Sequence, residues 1–247
     1  MRILAIDTSS RSGGVALLAD TQILAQESGE STELSASGLF RRVSAVLASA
    51  GVKLADVECF AVAAGPGSFT GLRVGLAAVK GWAEVWGRPI AAVSVLEAVA
   101  AEATEPGPLL APLADARRGL LFAGLYRRVG PSRGDGLTDS EHADGLFDVD
   151  KVDEELVATP AEILERYCAA ADAPPLFVSA SHEAIAALVS ALAGRSARIE
   201  VVSPELAPAI GRLGLRKALR GECVDALGLH ANYIQRSAAE VNWKERL

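Results

Sequence analysis

The stretch Gly65-Pro66-Gly67-Ser68-Phe69-Thr70-Gly71 joins an apolar run, Cys59–Ala64, to a helical pattern over Leu72–Trp86. A buried strand, a glycine-rich turn and a helix in this order indicate an α/β fold. The N–H groups at the start of such a helix face outward, and the glycines widen the choice of φ and ψ. The stretch therefore predicts a tight strand-to-helix turn, or else a loop that holds an anion at Gly67 and Ser68 or presses its backbone against another surface.

The loop does not match the common phosphate-binding or nucleophile motifs. A P-loop has Lys and then Ser or Thr after its last glycine, whereas Leu72-Arg73 follows Gly71 here. The dinucleotide fingerprint requires glycine where this chain has Thr70, and the hydrolase elbow requires it where this chain has Pro66. None of these motifs assigns a function.

The residues around this unit continue the alternation of strands and helices. Three short runs joined by two tight turns predict an antiparallel meander, and a helix follows them. Beyond the central unit, a further strand leads into a helix capped by Ser94. The first hundred residues thus predict a mixed sheet with helices on its faces. The strands are Arg2–Thr8, Val15–Ala19, Gln22–Glu27 and Ile90–Val93, and the helices cover Leu39–Ala50 and a segment from Ser94 to about Ala103.

Pro106-Gly107-Pro108 predicts a domain boundary. We expect a first lobe over residues 1–105, a second over 106–220, and a C-terminal helix and tail over 221–247 that packs back on the first lobe. Strands are predicted at Leu109–Arg117, Leu120–Arg127, Leu176–Ser179 and Ile199–Val202, and helices at Thr159 to about Ala171, Ser181–Ala193, Glu205–Arg220 and around Val224–Leu229.

Two segments stand out by charge. Residues 133–156 carry nine acids against two bases, which predicts a solvated loop region, with a metal site as the alternative. Residues 195–220 carry six bases against two acids. They predict one solvated helix face, or a modest patch that faces RNA or a partner.

The composition of the 247 residues narrows the class of protein. The mean hydropathy of +0.27 predicts a large core or an apolar surface for a partner, and the net charge of −7 argues against an unaided grip on nucleic acid. No uncharged apolar stretch approaches the roughly 18 residues of a membrane span. Asp7 interrupts the first apolar run after a few residues, which argues against a signal peptide. Three distant cysteines fit a reducing cytosol, and three isolated histidines lack metal-ligand spacing.

The helix over Leu72–Trp86 has apolar residues in nearly all directions, and small residues such as Gly75 and Gly81 leave flat ground for close approach. A helix that is apolar all round is buried on both sides. One side covers the sheet, and the other meets either the helix Leu39–Ala50 or a second protein.

Asp7, Thr8 and Ser9 end the first strand. In sugar kinases and actin-like ATPases an Asp at this place helps to hold metal and phosphate, which makes these residues candidates for nucleotide or anion binding together with Gly67 and Ser68. The alternative is that Asp7 and Thr8 only cap the turn.

Four motifs together resemble the TsaB family, also called YeaZ. They are Leu4-Ala5-Ile6-Asp7-Thr8-Ser9, Gly65-Pro66-Gly67-Ser68-Phe69-Thr70-Gly71-Leu72-Arg73, Asp115-Ala116-Arg117-Arg118-Gly119 and Tyr233-Ile234-Gln235-Arg236. The similarity covers nearly the whole chain, and the second motif is the most specific. The resemblance implies an α/β fold of two related lobes, as in actin, Hsp70 and sugar kinases (RNase H-like), with mixed sheets flanked by helices.

The resemblance also implies a cytoplasmic, non-catalytic subunit that helps to add threonylcarbamoyl to the adenosine next to the anticodon of tRNAs reading ANN codons. The implied partners are TsaD, which carries the metal-binding histidines and transfers the group, and TsaE, an ATPase. The chain alone is expected to bind no cofactor or metal, since the complex uses the ATP. It is expected to reach tRNA mainly through its partners and to form a homodimer when isolated. The alternative is a stand-alone glycoprotease-like metallohydrolase or kinase-like ATPase.

The family docks TsaD, or a second copy of itself, through the two helices of the first lobe. This implies a partner surface made of Leu39, Val43, Phe69, Thr70, Arg73, Val74, Ala78 and Trp82. One departure concerns Glu33-Leu34-Ser35-Ala36, which lacks the His that the family often has before the first helix, so a role for that His is not carried over. Gln235 stands where the family usually has Leu or Val.

Overall fold

The computed structural model describes residues 1–29, 36–129, 148–169 and 174–234. These residues form two five-stranded sheets with the strand orders β3-β2-β1-β4-β5 and β10-β9-β6-β7-β8. The first sheet contains β1 (Arg2–Ile6), β2 (Val15–Ala19), β3 (Gln22–Glu27), β4 (Cys59–Gly65) and β5 (Ile90–Ser94). The second contains β6 (Leu109–Arg117), β7 (Leu120–Val129), β8 (Asp148–Ala158), β9 (Leu176–Ser179) and β10 (Arg198–Val201). The helices are α1 (Ala36–Ala50), α2 (Phe69–Trp86), α3 (Val95–Ala101), α4 (Pro160–Ala169), α5 (His182–Ala191) and α6 (Ala207–Leu219).

The two halves repeat one topology. In each, three antiparallel strands are followed by a helix, a strand parallel to the first strand, a second helix, a further parallel strand and a third helix. The second sheet has the same pairings between β6, β7, β8, β9 and β10. The meander and the strands predicted from the sequence are confirmed, and the duplication agrees with the two related lobes that the resemblance implies.

The first sheet buries both of its faces. Leu4 and Ile6 of β1 lie in one apolar cluster with residues of α1 and α2, whereas Ile3 and Ala5 lie in another with residues of α3 and α6. This alternation is the period of two that a strand imposes on its side chains. It explains why the strands read as continuous apolar runs.

Helix α6 belongs by sequence to the second half, but it packs against the first sheet. A Cβ on Gly211 would lie 2.3 Å from Leu18 Cδ1, and one on Gly214 would lie 2.5 Å from the Cβ of Ala61. The two glycines therefore allow the helix to approach the sheet closely. The division at residues 105 and 220 stays a prediction, although the span 106–220 supplies a helix to the first sheet.

The acidic segment is not a loop in its described part. Residues 148–156 lie within β8, which pairs with β7 at one edge of the second sheet. Its first residue, Asp148, is buried and pairs with Arg216 and Arg220 of the basic segment, each at 3.1 Å. As for the alternative of a metal site, the described residues contain no group of three or more side chains that could hold a metal ion.

The basic segment is likewise not one solvated face. Arg216 is buried, Lys217 pairs with Glu97 at 3.3 Å, and Arg212 donates to the carbonyl of Thr21 at 3.5 Å. Each of these bases pairs with, or donates a hydrogen bond to, a group from a distant part of the chain. The three side chains are therefore directed into the fold. The segment therefore offers less basic surface than its composition suggests.

The segment Val224–Leu229 is not a helix, contrary to the sequence prediction. Val224 exchanges two backbone hydrogen bonds with Ile90, of 2.8 and 2.9 Å, and a turn follows. The pairing with β5 fixes Val224 against the first sheet. Within the described ranges, no helix is both long and apolar enough to cross a membrane.

Candidate functional site: a groove between two helices

Helices α1 and α2 lie side by side on the first sheet and leave an open apolar groove between them. The groove encloses about 580 Å³. Phe40 is 48% exposed and Phe69 is 36% exposed, and exposed aromatic rings on one surface are a common mark of a binding site. The lining residues are Ala36, Phe40, Phe69, Thr70, Arg73, Val74, Ala77 and Ala78.

The groove has a firm base. Beneath it, the Trp82 ring meets Phe40 edge to face at 5.6 Å and lies 5.8 Å from the ring of Phe60 on β4. Ser68 caps the start of α2 by accepting a hydrogen bond from the N–H of Gly71 at 3.3 Å. The left-handed residue Gly87 (φ 58°) ends the helix. The surface is therefore carried by a packed, well-bounded helix rather than by a loop.

The structure divides the eight predicted partner-surface residues into two groups. Phe69, Thr70, Arg73, Val74 and Ala78 line the groove. Leu39, Val43 and Trp82 are at most 9% exposed and belong to the core below it. Sequence reasoning missed three lining residues, of which Phe40 had a signal: it is a large aromatic residue outside the apolar period of α1.

One end of the groove carries a positive charge in contact with two aromatic residues. The Arg73 guanidinium lies 3.8 Å above the centre of the Phe69 ring, and its Nε donates to the Tyr233 hydroxyl at 3.4 Å. The rings of Phe69 and Tyr233 are 5.1 Å apart. Stacked Arg and aromatic side chains of this kind are frequent at protein interfaces.

Tyr233 reaches this position because the segment before it is fastened to the fold. The Asn232 N–H donates to the carbonyl of Ala64 at 2.7 Å, and the Asn232 side-chain amide donates to Glu155 on β8. Glu155 also accepts hydrogen bonds from the hydroxyls of Tyr126 and Ser94. Burial and the Glu155 carboxylate raise the pKa of Tyr126, so its hydroxyl stays a donor. Of the tail motif, Gln235 and Arg236 lie outside the described residues.

The glycine-rich stretch packs on the turn that follows β1. The N–H of Ser68 donates to the carbonyl of Ser9 at 2.7 Å. A Cβ on Gly67 would lie 2.6 Å from the oxygen of Ser9, and one on Gly71 would lie 2.0 Å from the oxygen of Thr8. The glycines are needed for this close contact of two backbones, which is one of the alternatives that the sequence left open.

The five candidate nucleotide or anion residues do lie together. Asp7, Thr8 and Ser9 are buried beneath the stretch that contains Gly67 and Ser68. The Ser9 N–H donates to Asp7 Oδ1 at 2.8 Å, whereas Asp7 Oδ2 and Thr8 Oγ1 have no hydrogen-bond partner among the described residues. Burial raises the pKa of Asp7, which disfavours its charged form. Nucleotide or anion binding here stays a prediction.

Comparison with known proteins finds similarity over the part of the chain that contains the groove. Residues 35–146, which include both groove helices, match the family model of TsaD, tRNA N6-adenosine threonylcarbamoyltransferase. The tRNA threonylcarbamoyladenosine biosynthesis protein TsaB of Bacillus subtilis is 37% identical over 51% of this chain and 56% of its own length. The TsaB of Escherichia coli is 35% identical over 52% of this chain and 56% of its own length. These matches therefore span little more than half of the curated relatives.

The structural likeness extends further along the chain. The solved structure of YeaZ from Pseudomonas aeruginosa superposes with a TM-score of 0.71 at 27% identity. The superposition covers 94% of this chain and 99% of that one. The relation to that protein therefore includes both sheets.

Proposed function

We propose that the chain is a member of the TsaB (YeaZ) family and serves as a non-catalytic scaffold in tRNA modification, which its similarity to the TsaB proteins and to YeaZ supports. In this role it activates the enzyme that adds threonylcarbamoyl to the adenosine next to the anticodon of tRNAs reading ANN codons. Its partners are TsaD, the transferase, and TsaE, the ATPase, and the ATP is used by the complex. The work of this chain is to bind, not to react.

The observation that carries the proposal is the groove between α1 and α2. Its lining is apolar apart from Thr70 and Arg73, and the aromatic rings of Phe40 and Phe69 stand open to solvent. Burying such a surface in a complex yields roughly 25 cal/mol for each Å² of apolar area. A partner helix that fills the groove would therefore gain affinity without any change in the core below.

The family match also supports TsaD as the occupant. Residues 35–146 match the model of the transferase family itself, and they contain the two groove helices. A protein of that family is thus expected to carry a comparable helix pair, and two such pairs can pack face to face. A second copy of this chain has the same pair, which is why the isolated chain is expected to form a homodimer that competes with TsaD.

Activation follows if the chain binds one arrangement of the transferase more tightly than others. A partner shifts a conformational equilibrium only by its difference in affinity for the two states. The buried ring of Trp82 and the capped ends of α2 make the groove a stiff surface that favours one partner geometry. Contact with tRNA is left mainly to the partners, given the net charge of −7 and the internal pairing of Arg216, Lys217 and Arg220.

The test places a carboxylate in the groove. Ala77→Glu changes an exposed helical residue on the lining, and Ala186→Glu makes the same change at an exposed position of α5, in the other half of the chain. Placing a carboxylate where the complex buries an apolar contact costs about 2 kcal/mol or more, which weakens binding roughly 30-fold. In calorimetry, we expect Ala77→Glu to bind TsaD much more weakly and Ala186→Glu to bind TsaD as tightly as the unaltered chain does.

The same variants separate the two occupants. Light scattering over a range of concentrations reports the homodimer, and calorimetry reports TsaD. If the unaltered chain does not bind its cognate TsaD, or if Ala77→Glu binds it as tightly, the proposal is wrong.

A further inference from the structure

We propose that Glu155, at the junction of the two halves, is a positioning residue for the partner-binding groove and acts through Asn232 and Tyr233. The inference rests on the proposed function, because its consequence is measured on the partner that binds the groove. Glu155 lies in β8 at the edge of the second sheet, whereas the groove lies on helices of the first sheet. A contact of the second half therefore sets part of a surface that belongs to the first.

The first step is the position of the Glu155 carboxylate. Its Oε1 accepts hydrogen bonds from the hydroxyls of Ser94 and Tyr126, the latter at 2.5 Å, and its Oε2 accepts one from the side chain of Asn232. Ser94 ends β5 and caps α3, and Tyr126 is a buried residue of β7. Residues of both sheets thus hold the carboxylate in place, independently of its contact with the C-terminal segment.

The second step runs from Asn232 to the groove. Asn232 is held at two points, by its side chain on Glu155 and by its backbone N–H on Ala64. The next residue, Tyr233, is 47% exposed and stacks on Phe69, and its hydroxyl accepts the hydrogen bond from Arg73. Phe69 and Arg73 are lining residues of the groove. A segment that is free at Asn232 would not hold Tyr233 against them.

The third step concerns charge. Asn232 is the only donor that the described structure gives to Glu155 Oε2, and hydrogen bonds to a carboxylate are the stronger kind. Replacing the Asn232 amide by a carboxylate of the same shape turns this attraction into repulsion. Replacing the Glu155 carboxylate by an amide at the same time restores a donor facing an acceptor. The pair can therefore be broken and rebuilt without changing its volume.

The experiment uses this exchange in the full chain. We expect Asn232→Asp to weaken binding of TsaD at least about tenfold in calorimetry, since like charges in contact repel each other. Hydrogen exchange across residues 231–234 should become faster in the same variant. The double variant Glu155→Gln with Asn232→Asp should recover both the affinity and the slow exchange. If Asn232 mattered only through its shape, adding Glu155→Gln would not restore the affinity.

The outcomes separate this inference from the proposed function. If Asn232→Asp binds TsaD like the unaltered chain, or if the double variant is no better than the single one, the inference is wrong and the groove proposal stands. If the unaltered chain does not bind TsaD, both are wrong.

Discussion

Replacing Gly71 by alanine tests whether the glycine-rich stretch exists for close backbone contact. Gly71 lies in the first turn of α2, and a Cβ built on it would stand 2.0 Å from the carbonyl oxygen of Thr8. Gly81 lies in the same helix, and a Cβ there meets nothing within 4 Å. The substitution Gly81→Ala is therefore a matched control: the same chemical change in the same helix, without the obstacle.

The two changes should have opposite signs. Ordinary contact begins at 3.4 Å, so the Gly71 Cβ and the Thr8 oxygen must separate by 3.4 − 2.0 = 1.4 Å, and neither atom belongs to a side chain that can rotate away. Overpacking of this kind costs about 1–3 kcal/mol, and helix propensity returns at most about 1 kcal/mol. We expect Gly71→Ala to lower the free energy of unfolding by about 2 kcal/mol and Gly81→Ala to raise it by about 0.5–1 kcal/mol.

Thermal unfolding followed by circular dichroism measures both variants. At this chain length 1 kcal/mol corresponds to about 2–4 °C, so Gly71→Ala should melt roughly 4–8 °C below the unaltered chain, and Gly81→Ala should melt above it. If Gly71→Ala is as stable as Gly81→Ala, the contact with Thr8 does not explain the glycine, and the loop must be assigned to ligand binding instead.

Two further predictions concern buried carboxylates. Burial raises the pKa of Asp7 in the folded state, so its ionisation lowers the free energy of unfolding as pH rises through that pKa. Asp7→Asn should therefore stabilise the chain at neutral pH and have less effect at acidic pH, measured by urea unfolding at several pH values. A stabilisation that grows toward acidic pH would contradict this expectation. Asp148→Asn leaves the buried Arg216 without that carboxylate and should cost about 3–5 kcal/mol, whereas Asp150→Asn, at an exposed position of the same strand, should change little in the same measurement.

Local signals in the sequence predicted the parts of the fold that depend on local chemistry. Ser94 caps its helix as the sequence predicts, and Thr159 exchanges hydrogen bonds with Glu162 at the start of α4. The continuous apolar runs of β1 and β4 predicted strands buried on both faces. These features depend on residues within a few positions of one another.

The errors come from contacts between distant residues. The acidic composition of β8 obscured its alternation, and the base that neutralises Asp148 lies 68 positions away at Arg216. Apolar spacing identified α1 and α2 as an apolar pair, but it could not tell which residues face the core. Leu39, Val43 and Trp82 therefore appeared equivalent to Val74, although the structure buries them. The contact of Glu155 with Asn232 had no local signal at all.

The placement of α6 sets an order of events for a growing chain. One face of the first sheet is covered by α6, whose residues leave the ribosome more than a hundred positions after β5 is complete. Until then Leu18 and Ala61 lack the helix that packs on them, and a nascent apolar surface of this kind invites aggregation or a chaperone. The first sheet therefore cannot be fully covered until α6, the last helix of the second half, has been synthesised.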